Sequence, residues 1–455
     1  MSWLRRINSV LKKEPETWLA YLHGQKFDSL QHLKEAQTKH KGRFIRILVW
    51  FLVSIKKTRL KYSPQKIHCE YLAYAGTRNQ KNSLDKTIEY LRCKGHKVSV
   101  IAPEEILTEE ETIEKGYFAI HHSPLELLKS LLLLFLRFRK LRAQLKNKNR
   151  KLISERLDNF LKVYNYLVYF DRLLSDTDVK MVIVSNDHNL QNRSFLALAR
   201  SYNIKTIYMQ HASVSNLFPA LNVDYAFLDG LSALETYREC EKNYPSTDPP
   251  KAKRQVYLSG QKKYLKLSTI SDVDRVGLAL NSLDSLDDAQ KLISFLAAKN
   301  YEIKLRWHPS LSGNAIERMY SRFEGFEIMY SNPREESLIE FFSSVSCLIA
   351  GNSSIHLEAA LCNLLPIYYE ITDSEIPDYY SYVKNGIAIR ANDFIDIYNI
   401  IKKFCISGSP IDNKKIQYYS STFGTEWENR EGELVAEVIS NITNNLTPPI
   451  KANSI

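Results

Sequence analysis

The sequence predicts an α/β protein built from two parallel-sheet domains that face each other across a cleft, preceded by a basic helical extension. Three observations carry this. From Ile67 onward, short apolar runs alternate with helical patterns of about 10–15 residues, which is the signature of parallel strands joined by crossover helices. The alternation stops at KNYPSTDPPKAKRQ (242–255), rich in Pro and polar residues, and then resumes. The chain is 455 residues long, with 44% apolar and 25% charged residues, enough for two ordinary cores. The expected organisation is an extension over 1–66, a first domain over 67–245, a second over 255–442, and a disordered tail over 443–455.

In the first domain, IHCEYLAYAGT reads as a strand, Arg78–Ser83 as a turn, Leu84–Cys93 as a helix and HKVSVIAP as a second strand. Residues 105–175 read as mostly helical. VKMVIVSNDHN, KTIYMQHASVS and VDYAFLDG are further strands, with the helix SFLALARSYNI between the first two. In the second domain, VGLALNSLD, YEIKLRWHPS, SVSCLIAGNSS and LLPIYYEI are strands. Helices are expected at DDAQKLISFLAAK, Glu335–Phe342, IHLEAALCN and 393–406, with a last one ending near Ile442.

Charge is distributed unevenly. The net charge is +11, yet residues 1–66 hold 15 Lys/Arg against 4 Asp/Glu, so the rest of the chain is neutral. A protein that coats nucleic acid carries its positive charge on the folded domain, so nucleic acid is not an expected partner. The N-terminus has no apolar signal core. Two apolar runs, Phe44–Ile55 and Leu125–Leu136, are too short to span a bilayer. Both are flanked by Lys and Arg, which suits helices lying on an anionic inner leaflet; core helices with solvated charged faces are the alternative. The expected location is cytoplasmic, peripheral on the inner face of the cell membrane. Six scattered Cys with no CxxC pair fit a reducing compartment.

In open α/β sheets, ligands bind at the carboxyl ends of the strands. The polar residues there are therefore the candidates. GNSS follows the apolar strand CLIA. Gly351 permits close backbone approach, Asn352, Ser353 and Ser354 supply hydrogen-bonding groups, and the following helix start favours an anion. Glu358, one turn on, suits ribose hydroxyls. Helix capping by Ser353 or Ser354 is the structural alternative. In RWHPS, Pro309 holds His308 out of the α region, so the imidazole projects from the strand end. A histidine there suits a departing phosphate, with Arg306 either assisting or packing. In the first domain, Asp187 is a candidate general base with His188 beside it, and His211, after Gln210, is a second. No Asp-x-Asp follows a strand and no His/Cys cluster is present, so neither a catalytic metal nor a cofactor is expected.

These residues resemble those of bacterial GT-B glycosyltransferases, which have two Rossmann-like domains. His308-Pro309 followed by Ser353-Ser354 is similar to the HP and SS/ST motifs of bacterial sialyltransferases and polysialyltransferases. CDP-glycerol glycerophosphotransferases share a similar arrangement, and their Trp/Gln-His-Gly element resembles MQHAS, with Ala212 in place of Gly. The resemblance spans about residues 180–370. It implies that His308 helps the nucleotide phosphate leave, that Ser353 and Ser354 hold that phosphate, and that Arg306, Pro309, Gly351, Asn352 and Glu358 line the donor site. His188 and Gln210 would meet the acceptor. The Asp/Glu-Asp/Glu-Gly triplet of the sialyltransferases is missing: Asp187 is its nearest equivalent by position, Leu228-Asp229-Gly230 a partial match, and His211 is the base if the glycerophosphotransferase likeness is closer. The implied activity is inverting, metal-independent transfer of a sugar, sialic acid or a related nonulosonic acid, from a CMP-linked donor to a cell-surface polysaccharide, lipopolysaccharide or glycolipid. A glycerophosphotransferase, a nucleotide-sugar epimerase and a membrane scaffold are the alternatives.

Overall fold

The computed structural model describes residues 2–20, 42–144 without 57, 59–66 and 115, 157–243 without 217, and 254–454 without 263–264, 266–274, 310, 373, 375 and 408–410. The first sheet contains β1 (Tyr71–Tyr74), β2 (Val98–Ala102), β3 (Tyr117–Ala119), β4 (Met181–Val184), β5 (Lys205–Met209), β6 (Tyr225–Leu228) and β7 (Gln255–Leu258). The second contains β8 (Arg275–Leu280), β9 (Glu302–Trp307), β10 (Ile328–Ser331), β11 (Cys347–Ala350), β12 (Leu365–Tyr369) and β13 (Ile389–Ala391). A short β14 (Asn453–Ser454) adds antiparallel to β7; all other pairings are parallel. The strand orders are β14-β7-β6-β5-β4-β1-β2-β3 and β10-β9-β8-β11-β12-β13.

The central strands are apolar on both faces because helices cover both. β1, β2, β4 and β11 are buried at every position, as parallel strands require. The turn expected at 78–83 is instead the first part of a helix, Arg78–Cys93. Thr77 caps it by accepting from the Gln80 N–H, which starts the helix earlier than its apolar period shows.

Three expected boundaries move. First, the extension is not one separate unit. The helix Trp3–Lys13 buries Ile7, Val10 and Leu11 in the first-domain core. Glu16 is fully buried, ion-paired with Arg137 and accepting from the Tyr164 hydroxyl (3.0 Å) and the Gln144 amide (2.7 Å). A buried carboxylate needs such partners; here they tie residues 14–19 to the helices Pro124–Gln144 and Leu157–Leu174. Second, β7 joins the first sheet. Third, the last helix, Glu431–Thr443, also returns to the first domain. Its Leu434, Val435, Val438 and Ile439 cover Leu84, Ile88 and Leu91 of the helix Arg78–Cys93. The Tyr71 hydroxyl donates to Thr443 (2.6 Å), and the His96 ring lies 2.9 Å from Ser440 Oγ. β14 then places part of the expected tail in the sheet. The expected linker 242–255 lies mostly outside the described residues. Closure of the return depends on Gly230: a Cβ there would lie 2.6 Å from the Tyr418 and Tyr419 backbone.

Two other helices stand out. Arg43–Lys56 exposes Phe44, Ile45, Leu48, Leu52, Val53 and Ile55, and its neighbour Pro124–Gln144 exposes Leu125, Leu128, Leu132, Phe135 and Leu136. Phe44 is 89% and Phe135 81% exposed. Large apolar patches of this kind mark interaction surfaces. Among the described residues, no helix is long and apolar enough to cross a membrane.

Candidate functional site

Strand register brings the second-domain candidates together. Ala279 of β8 is level with both Arg306 of β9 and Ala350 of β11. β9 and β11 therefore flank β8, two strand spacings apart, about 10 Å. His308 and Gly351-Asn352-Ser353-Ser354 lie just beyond those levels, on the same carboxyl edge. The His308 N–H donates to the Leu280 carbonyl (2.9 Å) and its carbonyl accepts from Leu311 (3.0 Å), so the His-Pro turn is held at the backbone. The residue is exposed. The protein packed around it still lowers its pKa below the ordinary histidine range, against the opposing pull of the Glu358 carboxylate.

Glu358 is buried, and its charge reaches both His308 and Arg306. Ser354 begins the helix Ile355–Leu361 with helical backbone angles and makes no side-chain cap. Ser353 accepts from the Ile355 N–H at 3.4 Å, a long hydrogen bond. The two hydroxyls are thus not consumed by tight capping.

Other predicted donor residues turn inward. Arg306 is buried, donating to Ser331 Oγ (2.7 Å) and the Glu336 carbonyl (3.1 Å), with its guanidinium over the Phe341 ring. Asn352 donates to Ser374 Oγ and the Ile376 carbonyl (both 3.0 Å) and accepts from the Tyr379 N–H (3.0 Å). It fastens Ser374, Ile376 and Tyr379 to the GNSS loop.

In the first domain, Asp187 and His188 follow β4. Asp187 is buried. Its Oδ2 accepts from the Tyr237 hydroxyl (2.9 Å) and its Oδ1 lies 3.1 Å from His188 Nδ1. With Nδ1–H donating to Asp187, the lone pair of His188 lies on Nε2, where the Asn186 amide approaches to 3.3 Å. The ring packs on Phe218 (4.3 Å between centroids) and is partly exposed. The carboxylate is therefore the orienting member of the pair, and the imidazole the member facing outward. Gln210 is buried, donating to the Ala212 carbonyl (3.0 Å) and accepting from the Asp229 N–H (2.9 Å), while His211 is partly exposed at the end of β5.

A cavity of about 470 Å³ lies between the domains, with Gln210 and Asp229 on one wall and Leu357, Tyr379, Tyr380 and Lys384 on the other. This size suits a small ligand. A hydrogen bond between Ser213 Oγ and the Tyr382 hydroxyl (2.6 Å) spans the gap beside it. His308, Ser353 and Ser354 are not among its lining residues; the cavity adjoins their loop through Leu357.

Two relevant residues escape a reading of motifs. Asp284, in the loop after β8, places Oδ1 3.3 Å from where a Gly351 Cβ would stand, and accepts from the Asn281 N–H (2.7 Å). Burial raises its pKa to about 6. Its acidic loop NSLDSLDD signalled only a helix start. His356 is buried beneath GNSS and donates from Nε2 to the Gly351 carbonyl (2.9 Å). The i, i+5 spacing from Gly351 was its only signal.

Burial lowers the His356 pKa from 6.5 to about 4, against the effect of the Gly351 carbonyl. The unfolded imidazole takes a proton before the folded one. Stability from neutral His356 is therefore complete above pH 6.5 and lost as pH falls from 6.5 towards about 4. Over that window the wild type should lose on the order of 3 kcal/mol more unfolding free energy than His356→Gln, which keeps an N–H donor but does not titrate. Denaturant titrations at each pH measure this, and parallel pH profiles would contradict it.

No protein-family model and no curated protein matches the sequence. Solved structures do match the fold. A UDP-N-acetylglucosamine 2-epimerase is 12% identical with a TM-score of 0.51, covering 85% of this chain and 99% of its own. A putative UDP-N-acetylglucosamine 2-epimerase from Listeria monocytogenes is 11% identical, TM-score 0.53, covering 86% and 100%. The glycotransferase of kitacinnamycin is 11% identical, TM-score 0.50, covering 83% and 99%. The two parallel-sheet domains, joined twice and opening their strand ends towards one another, have the GT-B fold.

Proposed function

We propose that the protein is a metal-independent glycosyltransferase that moves a sugar from a nucleotide donor to a membrane-anchored glycan acceptor. The observation that carries this is that the loops bearing His308 and Ser353-Ser354 leave one carboxyl edge about two strand spacings apart, with buried Glu358 close enough for its charge to act on His308. In this reading the donor phosphate sits against His308, Ser353 and Ser354, and Glu358 accepts from ribose hydroxyls. The motif resemblance favours a CMP-linked nonulosonic acid; the epimerase neighbours make a UDP-sugar the competing donor.

The acceptor hydroxyl displaces the Asn186 amide from His188 Nε2 and gives its proton there, with Asp187 holding Nδ1–H and stabilising the imidazolium; His211 is the alternative base. The acceptor oxygen bonds to the anomeric carbon as the bond from that carbon to the phosphate oxygen breaks, inverting the centre. The electron pair leaves with the nucleotide. Hydrogen bonds from the His308 ring and the two serines stabilise charge growing on the phosphate. Near pH 7 His308 alone is neutral, because its pKa is lowered, so it acts through its N–H. Asp284 beside Gly351 is a further group positioned to exchange a proton near pH 6.

The membrane part of the proposal rests on the exposed apolar faces of Arg43–Lys56 and Pro124–Gln144, with Lys56, Arg139, Lys140 and Arg142 exposed beside them. Apolar insertion and attraction to anionic headgroups act together at such a surface. This patch favours a transferase over an epimerase, whose substrate is a soluble sugar nucleotide.

The test is incubation with CMP- and UDP-sugars, with and without a lipid extract as acceptor. Release of nucleotide that requires acceptor supports transfer. Conversion of the donor sugar without acceptor supports an epimerase and overturns the proposal. No stabilisation by any nucleotide in a thermal-shift panel of CMP, CDP, UDP and GDP would leave only a scaffold.

A further inference from the structure

The cavity of about 470 Å³ between the domains has a lining that the proposed phosphate chemistry leaves unused. From the first domain, the helix Leu231–Asn243 contributes Glu235 and Glu239, one turn apart on a shared face. Glu235 accepts from the Tyr418 hydroxyl through Oε2 (2.6 Å), and Glu239 is exposed. From the second domain come Asp378 and a run of tyrosines. The Tyr379 and Tyr380 rings meet edge to face, 5.0 Å between centroids, and Tyr382 lies 5.5 Å beyond Tyr380. Asp378 accepts from the Val383 and Lys384 N–H groups (3.0 and 2.9 Å), which fixes this loop. The Tyr380 hydroxyl has no hydrogen-bond partner among the described residues, so it keeps a donor and an acceptor for a ligand. The Glu358 carboxylate acts on the Tyr380 and Tyr382 hydroxyls as well as on His308, so the cavity and the proposed donor loops share one neighbour.

Charge and ring chemistry together select the ligand class. Asp229 is paired with Lys262 (3.1 Å). Apart from Asp229, the described lining residues include three carboxylates, Glu235, Glu239 and Asp378, and one cation, Lys384. A phosphate or a sugar carboxylate would meet like charge there, which costs affinity. Sugar hydroxyls instead donate to carboxylates, and tyrosine rings cover the apolar face of a pyranose. We infer that this cavity holds an uncharged, hydroxyl-rich sugar, the terminal residue of the acceptor glycan, with Glu239 and the Tyr380 hydroxyl selecting it over anionic sugars. Naming the occupant as acceptor rests on the proposed transferase activity; binding of a neutral sugar does not.

The experiment is saturation-transfer NMR on the full chain with the methyl glycosides of glucose, galactose, mannose and N-acetylglucosamine. Methyl glucuronide and methyl galacturonide, which differ from their neutral partners only in a C6 carboxylate, are the charged controls. At least one neutral glycoside should bind saturably, and a uronide should bind at least about tenfold more weakly than its neutral partner. Tyr380→Phe and Glu239→Gln should each weaken the neutral glycoside at least about threefold. No binding of any neutral glycoside, a uronide that binds as well as its neutral partner, or unchanged affinity in both variants would each overturn the assignment. So would displacement of the glycoside by an intact sugar nucleotide but not by the bare nucleotide, because the donor sugar would then occupy the cavity. The nucleotide thermal-shift panel on the same preparations separates the two proposals. Nucleotide binding without glycoside binding rejects the cavity assignment alone; glycoside binding without nucleotide binding keeps the sugar site and rejects the transferase.

Discussion

His308→Ala is expected to reduce sugar transfer by about 10²–10³-fold, the usual loss when one stabilising donor is removed from a developing anion. The residue is exposed, and alanine retains its backbone N–H and carbonyl hydrogen bonds. The variant should therefore stay folded and melt within a few degrees of wild type. His308→Gln, which restores an N–H donor, should recover part of the rate. Steady-state kinetics on purified protein decide the matter: transfer at the wild-type rate in His308→Ala would remove this residue from the mechanism. A joint loss of rate and melting temperature would indicate a folding role.

The second large effect concerns the membrane. Phe44 and Phe135 are the most exposed large apolar side chains of the two patch helices. Burying a phenylalanine contributes about 1.5–3 kcal/mol, so replacing both with glutamate should weaken binding to anionic vesicles by at least about a hundredfold. Repulsion from the headgroups adds to the loss. Because both side chains face solvent, thermal stability should hold or rise. Vesicle co-sedimentation measures this. Undiminished sedimentation of the double variant would show that another surface makes the contact.

The parallel strands and their polar ends were legible because an apolar run buried on both faces has a distinct composition, and because the polar residues that follow it mark the sheet edge where ligands bind in open α/β folds. His308, Ser353 and Ser354 could be singled out on that basis. Long-range returns were not legible. The stripe Leu434-Val435-Val438-Ile439 shows that a helix buries one face but not which sheet it covers, and the structure spends it on the first domain. The basic N-terminus misled in a similar way: its charge count concealed Ile7, Val10, Leu11 and Glu16, which belong to a core. Within the site, sequence distinguishes residue types but not their direction. Arg306, Asn352 and Gln210 occupy the expected strand ends, and their described hydrogen bonds brace neighbouring loops. Asp187 and His188 are neighbours in sequence, and only the geometry shows that they share a hydrogen bond, with the carboxylate buried and the imidazole outward. His356 and Asp284 gain their interest wholly from what surrounds them.

The most direct measurement is a calorimetric titration of the best nucleotide from the thermal-shift panel into wild type and the Ser353→Ala/Ser354→Ala double variant. If those hydroxyls hold the donor phosphate, the dissociation constant rises at least about tenfold while the corresponding nucleoside, which lacks phosphate, binds both proteins alike. Identical nucleotide affinity in a folded double variant would mean that the phosphate lies elsewhere and would contradict the central claim.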